Sequence, residues 1–317
     1  MPRTSTWDVR RLPGQDGKTF VVTGGTSGIG YFIAEQLIAA GAHVILAARS
    51  EGKAALAAAA MRARDPQAHL STVRLDLGDL SSVRAAADEL NAEKRLDGIV
   101  LNAGVLANGA HGTTADGHEP MYGTNHLGHF ALGARIYPAL ARTGGSRIVT
   151  MGSVAARSAS LNLDDLESSH GTYRAFDIYK RSKLAQMIFA FELDRRARQS
   201  GSSVSSLVAH PGGALDGLTP SRPPAFARSA SSIARALPLA PVVQGKDHAA
   251  WAAVRALLDP AAQGGQLWGP RVFRSKGAPA LERPTAAMTN QEAAGRLWAL
   301  SEEAADVTWP LQATTRR

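Results

Sequence analysis

From Thr19 onward the chain alternates short β-branched runs with longer stretches rich in Ala and Leu, and no other feature constrains the fold as strongly. Strands separated by helix-length segments pair in parallel, because each connection must cross back over the sheet. TFVVTGG predicts a first strand and IGYFIAEQLIAAGA its helix. HVILAARS and GKAALAAAAMRARD form the second pair, HLSTVRLDL and SSVRAAADELNAE the third. LDGIVLNAG, SRIVTMGS and SSVSSLVAHPG predict three more strands, with long helices around residues 117–141 and 174–199 and a candidate seventh strand in LWGPRVF. The expected architecture is a doubly wound parallel α/β sheet with helices on both faces. The alternation runs unbroken to about residue 275 without a repeat or linker, so one domain is expected over 1–317, with a core at 17–270 and an extension from 271. Residues 213–245 interrupt the rhythm with Pro, Ser and Arg, which reads as a lid, a substrate loop or a surface excursion. Near the end, QEAAGRLWALSEEAADV predicts an amphipathic helix packed through Leu297, Trp298 and Leu300.

Composition narrows the chemistry. With 317 residues, 44% of them hydrophobic and 20% charged, the chain can bury a sizeable core, which excludes disorder. The absence of cysteine excludes a disulfide scaffold, a thiolate metal site and a thiol nucleophile. His126 and His129, the closest pair among nine scattered His, lie in no HExxH-type context, so no metal is expected. No run of 18 apolar residues occurs, and the basic N-terminus MPRTSTWDVRRLPGQDG has no apolar stretch behind it. A soluble, unexported, cytoplasmic protein is expected, with no membrane segment. The net charge of +8 raises nucleic acid as a partner, but the Arg residues are dispersed rather than gathered in an aromatic-laced stripe. Solubility and an anionic cofactor account for the charge, and no nucleic-acid partner is expected.

The first strand-to-helix turn is TGGTSGIG, where Gly24, Gly28 and Gly30 leave a strand and open a helix. Missing side chains let the backbone approach a pyrophosphate, whose charge is favoured by the free N–H groups of the helix N-terminus. The spacing is GxxxGxG rather than GxGxxG, and a glycine-rich corner alone needs no ligand. At the end of the second strand stand Ala47, Ala48 and Arg49. An acidic residue there would bind a free ribose diol, whereas small residues followed by Arg make room and charge for a ribose phosphate, so NADP(H) is favoured over NAD(H). Glu51 is the counter-evidence, and a solvated Arg is the alternative.

In YKRSK, Tyr179 and Lys183 stand four apart on one helix face. An ammonium near a phenol stabilises the phenolate and makes Tyr a usable acid or base. Such a pair carries little alone. Ser153, at the end of the SRIVTMGS strand, would stand at the same edge of the sheet, within reach of a substrate oxygen.

Together these motifs resemble the short-chain dehydrogenase/reductase family, a Rossmann-fold family, over about residues 17–270. TGGTSGIG is similar to its cofactor turn, LDL with Asp76 to its adenine contact, and LNAG with Asn102 to its fourth-strand motif. NHLGHF with Asn125, GSVA with Ser153, and YKRSK supply residues in the order of the family's catalytic tetrad. NHLGHF, SKLAQMIFAFEL and AHPG look most like the retinol dehydrogenase and protochlorophyllide reductase-like branch, and LWGP with RLWALSEE like its bacterial members. The resemblance implies that Gly24, Thr26, Ser27, Gly28, Ile29, Gly30, Arg49, Asp76, Leu77, Asn102, Ala103, Gly104, Pro211 and Gly212 contact the cofactor, with Tyr179 and Lys183. It also implies that Tyr179 transfers the proton, Lys183 lowers the Tyr179 pKa and holds the nicotinamide ribose, Ser153 bonds the substrate oxygen, and Asn125 holds a relay water. The reaction implied is interconversion of a carbonyl and an alcohol on an apolar small molecule. A non-catalytic redox sensor that keeps the dinucleotide fold is the alternative.

Two departures from the family pattern stand out. Five residues after Pro211, where relatives commonly carry a Thr for the nicotinamide carboxamide, the chain has Asp216, with Thr219 further on. Leu101 replaces a second Asn before NAG, consistent with packing inside the sheet. The substrate pocket is expected between Gly213–Gln244 and Leu106–Gly117, made apolar by Leu215, Leu218, Phe226 and Ile233. The helices at 117–141 and 174–199 form dimer interfaces in many family members, yet the branch includes monomers, so homo-oligomerisation stays open.

Overall fold

A computed structural model describes residues 7–107 and 112–311. Eight strands form one sheet: β1 (Thr19–Thr23), β2 (His43–Ala48), β3 (Leu70–Arg74), β4 (Gly98–Leu101), β5 (Arg147–Met151), β6 (Ser205–Ala209), β7 (Leu267–Val272) and β8 (Lys276–Glu282). Their order is β3-β2-β1-β4-β5-β6-β7-β8, parallel throughout except for the antiparallel β7–β8 pair. The chain winds outward from β1 to β3, returns beside β1 as β4, and winds outward again. A crevice therefore opens between the C-terminal ends of β1 and β4, where connecting loops diverge.

The helices are α1 (Gly28–Ala39), α2 (Glu51–Arg64), α3 (Leu80–Asn91), α4 (Pro120–Tyr122), α5 (Gly128–Thr143), α6 (Ala175–Gln199), α7 (Ala230–Ala236), α8 (Lys246–Ala249), α9 (Trp251–Leu258) and α10 (Gln291–Ala304). Alternation along β1 sends Phe20 and Val22 to one face, against Phe32, Leu37 and Leu257, and Val21 to the other, against Ile99, Val83 and Phe130. Local chemistry sets several helix starts. Asp79 caps α3 by accepting from the Ser81 and Ser82 amides, and Asn290 caps α10 by accepting from Ala293.

The sequence expectations need correction in four places. The expected helix at 117–141 is present without a gap from Pro120 to Thr143 but is not regular, because α4 runs through a π-helical turn, Gly123–Leu127, into α5. The expected third strand stops at Arg74, because Leu75, Asp76 and Leu77 leave the sheet at the crevice. The 213–245 segment is not wholly irregular, since it carries a 3₁₀ turn at Asp216–Leu218 and α7. Finally, β8 was not foreseen. It folds back on β7 with Leu267 opposite Glu282, and it covers what would otherwise be a parallel edge.

The tail helix α10 packs as expected through Leu297 and Trp298, with Leu300 only half-buried. Trp298 and Trp309 stand 5.2 Å apart, centroid to centroid, and close over Phe130 and Phe189. Within the same cluster the His126 Nε2–H donates to Ser301 Oγ at 2.7 Å, while that hydroxyl donates to the Leu297 carbonyl. Among the described residues, no helix is long and apolar enough to cross a membrane.

Candidate active site

The crevice at the switch in strand order is a cleft of about 440 Å³. Its floor begins at the β1–α1 turn. Gly24 sits at φ +66°, and a Cβ there would stand 3.0 Å from the Ala103 Cα, so only glycine lets the turn lie against the end of β4. Thr23 ties the two together: its hydroxyl oxygen accepts from the amides of Asn102 (2.9 Å) and Ala103 (3.0 Å). The Asn102 carboxamide donates back to the Thr23 carbonyl at 2.9 Å. Ser27 precedes α1 without a side-chain bond to the helix amides, which leaves those N–H groups facing the cleft.

Gly24, Thr26, Ser27, Gly28, Ile29, Arg49, Asp76, Leu77, Asn102, Ala103 and Gly104 all line this cleft. Five expected cofactor residues do not: Gly30, Pro211, Gly212, Tyr179 and Lys183. Gly30 lies behind the turn, where a Cβ would stand 2.4 Å from both Asn102 Nδ2 and the Gly24 oxygen, so its smallness serves packing. Pro211 and Gly212 lie elsewhere: Gly212 backs onto Ser275, and the Pro211 carbonyl accepts from Gln244. Nor do Leu215, Leu218, Phe226 or Ile233 line the cleft. Phe226, partly buried, packs edge-on against Tyr31 and Phe32 at the margin of the core, with centroids at 5.5 and 5.8 Å. Residues 108–111 of the expected opposite wall lie outside the described residues.

The lining adds residues that sequence reasoning missed, among them Ser50, Lys53, Thr124 and Lys246. Lys53 was legible as the residue four after Arg49 on the next helix, but nothing in the sequence marked Lys246. Arg49, Lys53 and Lys246 are the cations of the described lining, and Asp76 is its acid. Arg49 lies 4.0 Å from Asp76 with its side chain 74% exposed, while Glu51 is exposed and outside the lining.

Beside Gly104 stand two of the four candidate catalytic side chains, Asn125 and Lys183. A Cβ on Gly104 would stand 3.1 Å from Asn125 Oδ1 and 3.3 Å from Lys183 Nζ. Ser153 follows β5, and its hydroxyl oxygen accepts from the Ala155 amide at 3.2 Å. Burial raises the Tyr179 pKa above the ordinary phenol value, and the neighbouring Ser153 side chain opposes that rise. Lys183 is buried, which pushes its pKa down to about 8, and its ammonium donates to the Met151 carbonyl (3.0 Å) and to Gln186 Oε1 (2.9 Å). The expected lowering of the Tyr179 pKa by Lys183 is thus not the balance found here. Burial of the phenol dominates, and the ammonium is directed to other oxygens.

Asn125 lies in the π-helical turn, and its carboxamide holds the loop after β4: Oδ1 accepts from the Val105 amide at 2.7 Å, and Nδ2 donates to the Val105 carbonyl and to Ser182 Oγ, both at 3.0 Å. A buried polar chain that sequence reasoning missed runs behind these groups. From Gln186 it passes to His129 Nδ1 at 3.1 Å, and His129 Nε2 lies 2.9 Å from Thr23 Oγ1. Burial lowers the His129 pKa to about 3, so the ring is neutral. An Nδ1–H donated to the Asn125 carbonyl at 3.0 Å leaves Nε2 to accept from the Thr23 hydroxyl, and the Gln186 amide group, a donor itself, then only packs against Nδ1 and donates to the Leu101 carbonyl at 3.4 Å. The only signals were His129 in NHLGHF and Gln186 three residues after Lys183 on one helix face.

A profile of the short chain dehydrogenase family matches residues 18–214. The chain belongs to this family. Retinol dehydrogenase 13 from Homo sapiens is 39% identical over 197 residues, which places the chain in the retinol dehydrogenase-like branch. The match covers 62% of this chain and 59% of the human protein, so the chain spans about three fifths of that relative. A crystal structure of an uncharacterized protein from Mycobacterium paratuberculosis is 33% identical, with a TM-score of 0.78, and covers 96% of this chain and 99% of its own. The Pseudomonas aeruginosa RhlG/NADP active-site complex is 25% identical with a TM-score of 0.61, covering 80% and 94%. In this short-chain dehydrogenase the family match ends at residue 214, before Asp216, Lys246, β7, β8 and α10.

Proposed function

We propose that the protein is an NADP(H)-dependent oxidoreductase that interconverts a carbonyl and an alcohol on an apolar small molecule. The observation that carries the reading is the meeting of Asn125 and buried Lys183 beside Gly104, on the lining of a cleft that also holds Arg49 and Lys53, with Tyr179 one helical turn before Lys183. The cleft suits a dinucleotide. Glycines remove side chains where a pyrophosphate would lie, uncapped α1 amides face it, and Arg49 with Lys53 supports a ribose phosphate over a diol. Asp76, Leu77, Asn102 and Ala103 would enclose the bound nucleotide, and Lys183 would hold its nicotinamide ribose.

When bound, the nicotinamide supplies or accepts the hydride. Tyr179 supplies the proton. Its raised pKa keeps the phenol protonated at neutral pH, the form that donates to a carbonyl oxygen as that oxygen gains charge. Ser153 donates a hydrogen bond to the same oxygen and stabilises the developing alkoxide. Lys183, already near neutrality, takes part in replacing the proton that Tyr179 gives up. Asn125 acts through position here, fixing Val105 and so the loop that borders the reacting groups.

An apolar substrate is supported by the exposed side chains nearest the pair. Val154 adjoins Ser153 in sequence, Phe176 stacks on the Tyr179 ring at 6.2 Å, and Leu106 follows the Val105 that Asn125 grips. The test is oxidation of NADPH and NADH across a panel of apolar ketones and aldehydes, beside Tyr179→Phe. Turnover with NADPH, lost by about 10²-fold or more in the variant, is the expected result. NADPH binding with equal rates in both proteins would refute Tyr179 catalysis and favour a redox sensor.

A further inference from the structure

Lys246 lines the cleft together with Arg49 and Lys53, from a part of the chain beyond the family match. Its Nζ lies 3.9 Å from the point a Cβ on Gly28 would occupy, and so stands over the first residue of α1. That helix has twelve residues, and its leading amides have no side-chain cap. An ammonium above free helix amides concentrates positive potential where the glycine turn would admit a pyrophosphate.

The anion that Lys246 holds in this structure comes from the protein itself: Asp216 Oδ1 lies 2.5 Å from Lys246 Nζ. The two backbones are tied independently of that pair. The Lys246 amide donates to Thr219 Oγ1 at 2.9 Å, and the buried Thr219 hydroxyl donates to the Leu215 carbonyl at 2.8 Å. The Asp216 side chain, by contrast, is 75% exposed, so it can swing away without disturbing the turn beneath it. A carboxylate left on the ammonium would face the phosphates as a like charge.

We propose that Lys246 is a pyrophosphate ligand and that Asp216 is its internal counter-anion, displaced when the dinucleotide binds. The proposal rests on the cofactor reading above and deepens it. It gives Asp216 a role opposite to that of the Thr found in relatives, competition with the cofactor rather than contact with it. The two roles differ in sign: a residue that contacts the carboxamide strengthens binding, and a competitor weakens it.

The test is calorimetric measurement of NADPH affinity for wild type, Asp216→Asn, Lys246→Met and the double variant, with adenosine 2′-monophosphate as a ligand lacking the pyrophosphate. The pair is surface-facing, so Asp216→Asn is expected to bind NADPH about two- to five-fold more tightly. Lys246→Met is expected to bind about tenfold more weakly, and adding Asp216→Asn to it should bring no gain. Adenosine 2′-monophosphate should bind all four proteins alike. Asp216→Asn that binds NADPH no tighter than wild type overturns the competition, and Lys246→Met that binds like wild type overturns the ligand assignment. Wild type that binds neither NADPH nor NADH overturns the cofactor reading itself, and is thereby distinguishable from failure of the pair alone.

Discussion

The buried Lys183 ammonium should be visible as a pH dependence of folding. Its pKa falls from 10.5 to about 8 on burial, so between those values the unfolded chain binds more protons than the folded one. Stability must then rise with pH across that interval. The penalty is fully present below pH 8, where it amounts to about 3 kcal/mol, and it disappears above 10.5. From about pH 10 upward, phenols held above their ordinary value, such as Tyr31 and Tyr179, act in the opposite sense. The informative window is therefore pH 7 to about 9.5, in which roughly 2 kcal/mol of the penalty is released. For a chain of 317 residues that is a shift of about 3 °C in Tm. Scanning calorimetry of the cofactor-free wild type and Lys183→Met through this window isolates the group, because Met leaves the Met151 and Gln186 oxygens unpaired at every pH. The wild-type Tm should gain about 3 °C on the variant as pH rises. A constant difference would refute the argument that Lys183 is charged, buried and destabilising in the folded state.

Other outcomes follow from the cleft and its packing. Arg49→Ala and Lys53→Ala should each weaken NADPH binding by about tenfold while leaving NADH within about twofold, read from titrations with both cofactors; equal losses would remove the phosphate assignment. Gly128→Ala would place a Cβ 2.2 Å from the Leu77 carbonyl oxygen, and should cost about 1–3 kcal/mol in urea unfolding by forcing α5 off the loop that carries Asp76 and Leu77. An unchanged midpoint would show that this contact relaxes freely.

What was legible in the sequence was what periodicity and local turn chemistry encode. Strands β1 to β7 fall where β-branched runs stand between helix-length segments, and TGGTSGIG marks the corner at which the crevice opens. Ser153, Tyr179 and Lys183 could be paired in advance because one strand end and one helix face bring them together. Contacts between remote segments left no such mark. Lys246 reaches Gly28 only because the chain doubles back after β6, and the His129–Thr23 bond joins residues 106 apart. Polar atoms at period-breaking positions were also opaque: the π-helical turn at Asn125 reads as ordinary helix, since its residues satisfy helical spacing on either side. Phe226 misled because an aromatic in a Pro-rich segment looks like a pocket wall until it is seen to pack on Tyr31 and Phe32.

The hydrogen bond from His126 to Ser301 links the two ends of the polypeptide's logic. His126 is the neighbour of Asn125, and Ser301 lies among the last residues described, inside an aromatic wedge built from Trp298 and Trp309. Clipping the chain ahead of Gln291 would take that hydroxyl and both indoles away together, exposing Phe130 and Phe189 to water. The injury would reach the reacting groups from behind, through the turn that grips Val105. The helix α10 is thus a buttress for the turn that carries Asn125, and a substitution in it is expected to be felt as far away as Val105.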